Sequence, residues 1–427
     1  MAFSRRSLLA GTAGLGALAA GGLSACGSRT SISSDPNELV IWYWDRSIDP
    51  ALLSIAAKQI PGTQRHLRAD IIGGSFDTKL RTSLAGNAYI PDLTNINSNV
   101  SLYFPNEDMF LDLDELGAQN YKHLYFDWKW ELGVTPTNHF RFFPLDTGPT
   151  GFYYRQDVFD KAKIPSDPES VGAAMKTWDE FIELGQKLKR NVGSFMDITA
   201  GQLFGQYINA SPQRYFDKAG KPLYMNQTST IRDAWNMAVK AIKAGITGNQ
   251  QVSTDQNAAW ESGKTAGHIE AVWWAQILGD TAPDTKGKWR LAKQPVRAGN
   301  SGGSFICIPH TCKDPEAAFK FITWLNNPQN QAQAFNNIQL FPSAEDSFTL
   351  GTMKSNTGFF GDQDPLTFFL EAAKEVPTSF ISTYEAQAAF FGTEITNVEA
   401  AGKNPDRAWD DAVAQTNKIL RKRGVNV

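Results

Sequence analysis

The sequence has 427 residues, with 41 basic and 44 acidic side chains and a formal net charge of −3. A mildly acidic chain without a long basic run lacks the electrostatic footprint of nucleic-acid binding, so we expect no nucleic-acid partner. Its length exceeds one ordinary hydrophobic core and favours two domains. Most of the 12 Trp and 27 Phe are expected to lie in the hydrophobic core. A surplus of indole also suits a sugar-binding cleft, since the apolar C–H faces of pyranoses lie flat on aromatic rings.

Residues 1–25 are predicted to be an export signal. Arg5 and Arg6 precede an apolar run from Leu8 to Leu23 that contains no acidic residue. The run ends in the letters LSAC, the pattern of a bacterial lipobox, in which the thiol of Cys26 takes a diacylglyceryl group. The alternatives are an ordinary signal peptide or a transmembrane helix, but the run is short and rich in glycine. The paired arginines also fit a twin-arginine signal, although two arginines suit any export signal. We therefore predict an exported protein held to the bacterial cell membrane by the lipid on Cys26 alone.

The next segment predicts a polar tether followed by a βαβ series. Residues 26–37 form the lipidated tether, without an apolar period. Leu39 to Trp42 is a continuous apolar run, which is typical of a buried parallel strand. Alternating helix and strand patterns follow, so we expect a mostly parallel sheet. The predicted elements are a helix from Pro50 towards Pro61, a strand at 67–72, a helix at 76–84 and a strand at 91–96.

Three later helices have clear start signals. Thr177 and Glu180 are spaced as a capping box. Asp314 precedes a proline and an apolar stripe, which predicts the start of a helix. Asn404 also precedes a proline and an apolar stripe, and it is predicted to begin the last helix, which ends at Gly424.

The stretch from Gly299 to Gly303 matches the G-x-S-x-G pattern of hydrolases. That motif exposes its serine only at a strand-to-helix turn. Here a strand pattern follows, Ser304 to Ile308, so a glycine-rich loop entering a strand is the better interpretation. Such a loop lets backbone N–H groups approach a ligand closely.

The remaining cysteines are Cys307 and Cys312, with four residues between them. An exported protein can form disulfides, and a turn at Pro309 could bring the two together. We expect this disulfide in preference to two buried thiols. No histidine stands in zinc-like spacing and no nucleotide fingerprint occurs, so we predict no metal and no cofactor.

Trp273 and Trp274 form the strongest local signal for a ligand contact. Neighbouring residues of an extended segment point in opposite directions, so one indole can pack in the core while the other faces a cleft. The alternative is that both rings are buried.

Several segments, taken in order, resemble a known family. Lys79-Leu80 is followed by Ala85-Gly86 and Pro91-Asp92. The stretch 151–159 is similar to the family's "lyYNkdlF" segment, with Arg155 in place of the usual Asn. Residues 260–265 resemble "F-x-x-G-k-a", and 315–325 resemble the helix "A-w-x-F-i-x-w-L". Over residues 38–423 the chain thus resembles the extracellular solute-binding proteins of ABC sugar importers, the group that includes maltose-binding protein.

This resemblance implies an α/β fold of the periplasmic-binding-protein type II class, with two lobes and a ligand cleft between them. Three crossing segments would form the hinge, near 143–147, 295–302 and 341–347. Lobe one would comprise 38–144 and 300–343. Lobe two would comprise 145–299 and 344–427.

The resemblance also implies a ligand site at strand ends and crossings. Its predicted residues are Trp44, Asp45, Asn97, Ser98, Asp146, Thr147, Trp273, Trp274, Gly302, Gly303 and Tyr384. With Asp45 and Asp146 in the site and only Arg46 as a nearby base, a neutral ligand is favoured over an anion.

The function implied is capture of a neutral carbohydrate, an oligosaccharide, and its delivery to an ABC permease by a monomer that is not an enzyme. One alternative is a secreted glycoside hydrolase, which would need two carboxylates facing each other in the cleft. Another is a binder of a non-sugar solute such as a peptide.

Overall fold

The computed structural model describes residues 32–355 and 357–427, so the predicted export signal and Cys26 lie outside the described residues. Within these ranges no helix combines the length and the apolar character that a membrane crossing requires. The described residues form eight strands: β1 (Glu38–Tyr43), β2 (His66–Ile71), β3 (Leu93–Ile96), β4 (Phe143–Pro144), β5 (Thr150–Arg155), β6 (Gly267–Ala271), β7 (Trp289–Ala292) and β8 (Phe305–Cys307).

Helices connect and cover these strands. The α-helices are α1 (Pro50–Ala56), α2 (Phe76–Gly86), α3 (Asp127–Glu131), α4 (Gln156–Ala162), α5 (Pro168–Ala173), α6 (Trp178–Val192), α7 (Ala200–Asn209), α8 (Thr230–Ala244), α9 (Ser253–Ser262), α10 (Trp274–Thr281), α11 (Pro315–Leu325), α12 (Pro328–Ile338), α13 (Pro365–Glu375), α14 (Phe390–Ala401) and α15 (Pro405–Lys422). Short 3-10 helices span Val100–Leu102, Phe104–Met109, Leu113–Leu116, Ala118–Leu124, Pro283–Thr285, Glu345–Leu350, Thr357–Phe359 and Glu385–Ala389.

The first sheet has the strand order β2-β1-β3-β8-β4, and we call it with its helices lobe one. Strand β1 pairs in parallel with β2 and β3, which confirms the predicted βαβ series, while β8 runs antiparallel to β3 and β4. Successive residues of β1 pack on opposite faces. Leu39 and Ile41 join a cluster with α1 and α11, whereas Val40 and Trp42 pack with α2.

The second sheet, β6-β5-β7, is antiparallel throughout, and we call it with its helices lobe two. Phe152 of β5 packs on one face against Phe181 of α6, with ring centroids 5.6 Å apart. Tyr153 points to the other face, where its ring lies 4.7 Å from that of Trp274. Helices α7, α8, α14 and α15 enclose a further aromatic core around Trp235.

The two sheets establish the predicted two-lobed α/β fold, and the segments that connect them lie side by side. Asp146 bridges to Pro342, and Pro149 bridges to Asn300. The lobe boundaries proposed above stay a prediction at the residue level. Ala344, placed at the start of a lobe-two segment, packs in the same core cluster as Leu39 of lobe one.

The predicted first helix ends earlier than expected. It stops at Ala56, although its apolar pattern continues to Ile60. The proline at 61 disfavours a helical conformation at the residue before it. Ile60 instead donates its N–H to the carbonyl of Arg65 at 2.8 Å, and its side chain remains fully buried.

The predicted disulfide is wrong in this structure, because Cys307 and Cys312 are both free, buried thiols. Cys307 ends β8 and belongs to the core cluster on one face of the first sheet, with its Sγ 3.6 Å from the carbonyl oxygen of Thr94. Cys312 belongs to the cluster on the other face. The sheet therefore separates the thiols, and burial raises the pKa of Cys312 to about 12.

Candidate ligand-binding cleft

A cavity of about 520 Å³ lies at the carboxyl ends of β1, β2 and β3. We call it the strand-end cavity. Trp44, Asp45 and Asn97 line it together with the loop 71–78, which leads from β2 into α2. The carboxyl ends of parallel strands meet at one edge of a sheet, and that edge is where open α/β folds bind ligands. The structure thus brings together three of the residues predicted from the sequence.

Within this cavity an aromatic ring stands beside an exposed carboxylate. Trp44 is half-buried, and its indole meets Phe76 edge-on at 5.1 Å. Asp45 is exposed. Asn97 is also exposed, and its Oδ1 accepts the N–H of Ser98 at 2.7 Å. Such a set offers a flat apolar surface with hydrogen-bonding groups at its rim, which is the arrangement that polyhydroxylated rings require.

Other predicted residues instead tie the crossings to one another. Asp146 is buried, and its Oδ1 accepts the backbone N–H of Ser304 at 2.7 Å and also the Ser304 hydroxyl. The Thr147 hydroxyl donates to the carbonyl of Pro342 at 2.9 Å. In this structure both side chains are engaged by the protein itself, so their predicted contact with a ligand stays a prediction.

Gly302 and Gly303 lie in the loop that enters β8, and no helix follows, so the glycine-rich loop is confirmed over the hydrolase turn. Their φ angles are +92° and +78°. A Cβ on Gly303 would lie 2.8 Å from the carbonyl oxygen of Asp146. Only glycine fits this close approach of two crossings.

Lys129 is a buried group at this hinge that the sequence did not reveal. Its ammonium lies 3.4 Å from the centre of the Phe305 ring and makes no hydrogen bond to any described residue. Burial lowers the pKa of Lys129 to about 7, an effect that the nearby Asp146 opposes. Burial likewise raises the pKa of Asp146. In the sequence Lys129 stands between Trp128 and Trp130, and this aromatic setting was the one signal that pointed to its burial.

Trp273 and Trp274 have the predicted contrast in exposure, but for a different reason. They do not lie on an extended segment, since Trp273 caps α10 and Trp274 begins it. Trp274 is 3% exposed in the lobe-two core, whereas Trp273 is 36% exposed. The Trp273 indole N–H donates to the carbonyl of Ser301 at 2.9 Å, which places this ring over the glycine-rich crossing.

Tyr384 lies in lobe two, directly before the 3-10 helix Glu385–Ala389. That helix packs against the 3-10 helix Val100–Leu102 of lobe one, close behind Asn97 and Ser98. The Tyr384 ring lies 6.0 Å from Phe216.

The lobes also meet through one ion pair near the strand-end cavity. Arg46, with a φ of +63°, extends its guanidinium to Asp280 of α10 at 3.4 Å. Both side chains are more than half exposed, so the pair contributes little to stability.

Comparison with known proteins gives consistent matches. The family described as bacterial extracellular solute-binding protein matches residues 70–332. A lactose-binding protein of Rhizobium radiobacter is 26% identical over 324 residues, which is 70% of this chain and 73% of that protein.

Solved structures agree in fold. The crystal structure of an extracellular solute-binding protein of family 1 has a TM-score of 0.83 at 23% identity, covering 89% of this chain and 99% of that one. The galacto-N-biose/lacto-N-biose I-binding protein of Bifidobacterium longum, in complex with lacto-N-biose, has a TM-score of 0.74 at 18% identity, covering 92% of this chain and 100% of that one. With its two-lobed fold and a family match over more than half its length, the chain belongs to the bacterial extracellular solute-binding proteins.

Proposed function

We propose that this protein captures a neutral oligosaccharide in the cleft between its lobes and delivers it, unchanged, to an ABC import permease. As a member of its family it acts outside the cytoplasm. The observation that carries the proposal is the lining of the strand-end cavity, where the Trp44 ring stands beside Asp45 and Asn97. A pyranose can stack on the indole while its hydroxyls bond to the carboxylate and the amide. Hydrogen bonds to an ionised group are stronger than neutral ones.

The comparisons support the same ligand class. The relative from Rhizobium radiobacter is named for lactose binding, and a structure similar in fold holds lacto-N-biose. The closing of two rigid lobes about connecting segments is a recurrent response to ligand binding, and the paired crossings here would serve as the hinge.

The arrangement of carboxylates favours binding over hydrolysis. A glycosidase needs two carboxylates on either side of the bond to be cleaved. Asp45 and Asp77 both border the strand-end cavity, but the Asp77 carboxylate accepts hydrogen bonds from the Tyr103 hydroxyl at 2.7 Å and from the Asn99 amide at 2.8 Å. The Asp146 carboxylate is held by Ser304 within the crossings.

Calorimetry with lactose, lacto-N-biose and β-1,6-galactobiose tests the proposal. We expect at least one sugar to bind, and a concentration of a hundred times its Kd to stabilise the fold by about 2.7 kcal/mol. Trp44→Ala should weaken binding about 30-fold, as loss of a buried interface ring does. Tyr89→Ala, which removes an exposed ring elsewhere in lobe one, is the matched control. Cleavage of any of these sugars, or binding of none, would reject the proposal.

We also propose that a lipid on Cys26 anchors the mature chain to the cell membrane. The support is the LSAC pattern after an apolar run. A Cys26→Ser variant expressed in a bacterial host should move from the membrane fraction to the soluble fraction. If it remains with the membrane after a high-salt wash, another anchor holds the protein.

A further inference from the structure

Helix α10 carries a row of exposed side chains along one side. They are Trp273, Ile277 and Asp280, and we call them the outer stripe. Residues four and seven positions apart lie on the same side of an α-helix. Trp273 is 36% exposed and Ile277 is 40% exposed. The apolar core face of α10 is formed by other residues, Trp274 and Leu278, which are buried, so the outer stripe is a second face that the described residues leave open.

Contacts at its two ends place the outer stripe on the cleft. At the hinge end, the Trp273 indole donates to the carbonyl of Ser301 in the glycine-rich crossing at 2.9 Å. At the far end, Asp280 pairs with Arg46 of lobe one at 3.4 Å. Arg46 belongs to the loop after β1, and the two residues before it line the strand-end cavity. The helix between these contacts therefore runs along the gap between the lobes, and Ile277 lies on the side that makes both contacts.

The spacing along the outer stripe is that of successive sugar rings. At a rise of about 1.5 Å per residue, Ile277 lies about 6 Å beyond Trp273, and Asp280 lies about 10 Å beyond it. Neighbouring rings of an oligosaccharide repeat at a comparable interval. A ring that stacks on Trp273 at the hinge end therefore brings the next ring to Ile277.

The chemistry of an isoleucine fits the apolar face of such a ring. Its side chain forms no hydrogen bond, so a hydroxyl held against it would lose its water without replacement. The C–H face of a pyranose can pack on it, and removing both apolar surfaces from water is favourable. On the lobe-one side, Ile71 lines the strand-end cavity and is 58% exposed. Each lobe thus presents an open aliphatic side chain beside its indole.

We propose that Ile277 is a specificity-determining residue, which recognises the second ring of the captured oligosaccharide through its C–H face. This inference rests on the proposed function and deepens it, because it explains how the site distinguishes an oligosaccharide from a single sugar. A single ring over Trp273 gains nothing from Ile277. A disaccharide covers both side chains, so it favours the closed arrangement of the lobes more strongly.

The test compares Ile277→Asn with the wild type by calorimetry, using lactose, lacto-N-biose and β-1,6-galactobiose, with galactose as the single ring. We expect the variant to bind a disaccharide about tenfold more weakly, and galactose less than twofold more weakly. Ile277→Val keeps an apolar side chain and should retain most of the affinity. Ile55→Asn is the matched control, since Ile55 on α1 of lobe one is 48% exposed, and it should change neither affinity.

Thermal unfolding without sugar separates recognition from a structural role. Ile277 lies on the open side of α10 and outside the buried core face, as a surface residue does. We therefore expect Ile277→Asn and Ile55→Asn to unfold within about 2 °C of the wild type.

The outcomes separate the two proposals. If the wild type binds none of the disaccharides, the proposed function and the role of Ile277 both fail. If the wild type binds one and Ile277→Asn binds it equally well, or loses galactose affinity by the same factor, only the role of Ile277 is wrong. An unfolding temperature several degrees lower for Ile277→Asn alone would make this residue structural, which also overturns its role. A wild type that binds a disaccharide but not galactose, with a weakened Ile277→Asn, supports recognition of the second ring.

Discussion

Lys129 shows how burial at the hinge makes stability depend on pH. Burial lowers its pKa to about 7, whereas the unfolded chain keeps an ordinary lysine value. Between about pH 7 and pH 10 the unfolded state therefore binds more protons at this residue. The free energy of unfolding should therefore rise with pH across that range, by up to ~1.4 kcal/mol per pH unit. Below pH 7 the lysine is charged in both states, so the whole destabilisation caused by burying its charge is present.

Lys129→Met should remove this dependence. We expect the methionine variant to be more stable than the wild type at pH 7, with the difference shrinking by pH 9. Urea unfolding of both proteins at the two pH values measures it, and other titrating groups largely cancel in the difference. A gap that does not change with pH would contradict the assigned pKa.

The two adjacent tryptophans should respond differently to truncation. Trp274 is buried among Tyr153, His268 and Trp260, with ring centroids 4.7 Å, 4.7 Å and 4.9 Å away. Trp274→Ala should therefore cost about 3–5 kcal/mol in urea unfolding. Trp273→Ala loses one hydrogen bond at a partly exposed ring, so we expect about 1 kcal/mol together with weaker sugar binding. Equal destabilisation by the two substitutions would rule out this division of roles.

At the scale of elements, the glycine-rich crossing depends on one close backbone approach. Gly303 and Gly424 have φ angles of +78° and +79°, so alanine at either position meets the same backbone strain, about 1–2 kcal/mol. A Cβ at Gly303 would also lie 2.8 Å from the Asp146 carbonyl, whereas one at Gly424 meets nothing within 4 Å. Gly303→Ala should thus cost clearly more than Gly424→Ala in thermal or urea unfolding. If the two substitutions lowered stability equally, the segments around Gly303 and Asp146 would be able to move apart at little cost.

For the whole molecule, the pair Arg46–Asp280 links the lobes only when they are close. Because both side chains are more than half exposed, we expect a contribution of about 1 kcal/mol or less. Asp280→Asn should weaken sugar binding by at most about fivefold at low salt, and by less in 0.5 M NaCl, where screening is stronger. Calorimetry at both salt concentrations measures this. A loss above tenfold, or one independent of salt, would mean that Asp280 contacts the ligand.

The sequence by itself determined the local elements and one wall of the cleft. The capping box of Thr177 and Glu180 and the caps Asp314 and Asn404 are as predicted, because a cap depends on residues within one turn. Trp44, Asp45 and Asn97 could be placed together because each follows β1 or β3, two neighbouring strands that run in parallel. The order in which the family's characteristic segments occur was sufficient to predict the two-lobed fold.

Only the tertiary structure decided the contacts between distant segments. The first sheet separates Cys307 from Cys312, which spacing along the chain does not reveal. The burial of Lys129 depends on how α3 packs against Phe305 of β8, which comes from a distant part of the chain. Asp146 was predicted as a ligand contact, yet its carboxylate holds Ser304. The cost of burying a polar group, and hence its role, is set by neighbours that come from elsewhere in the sequence.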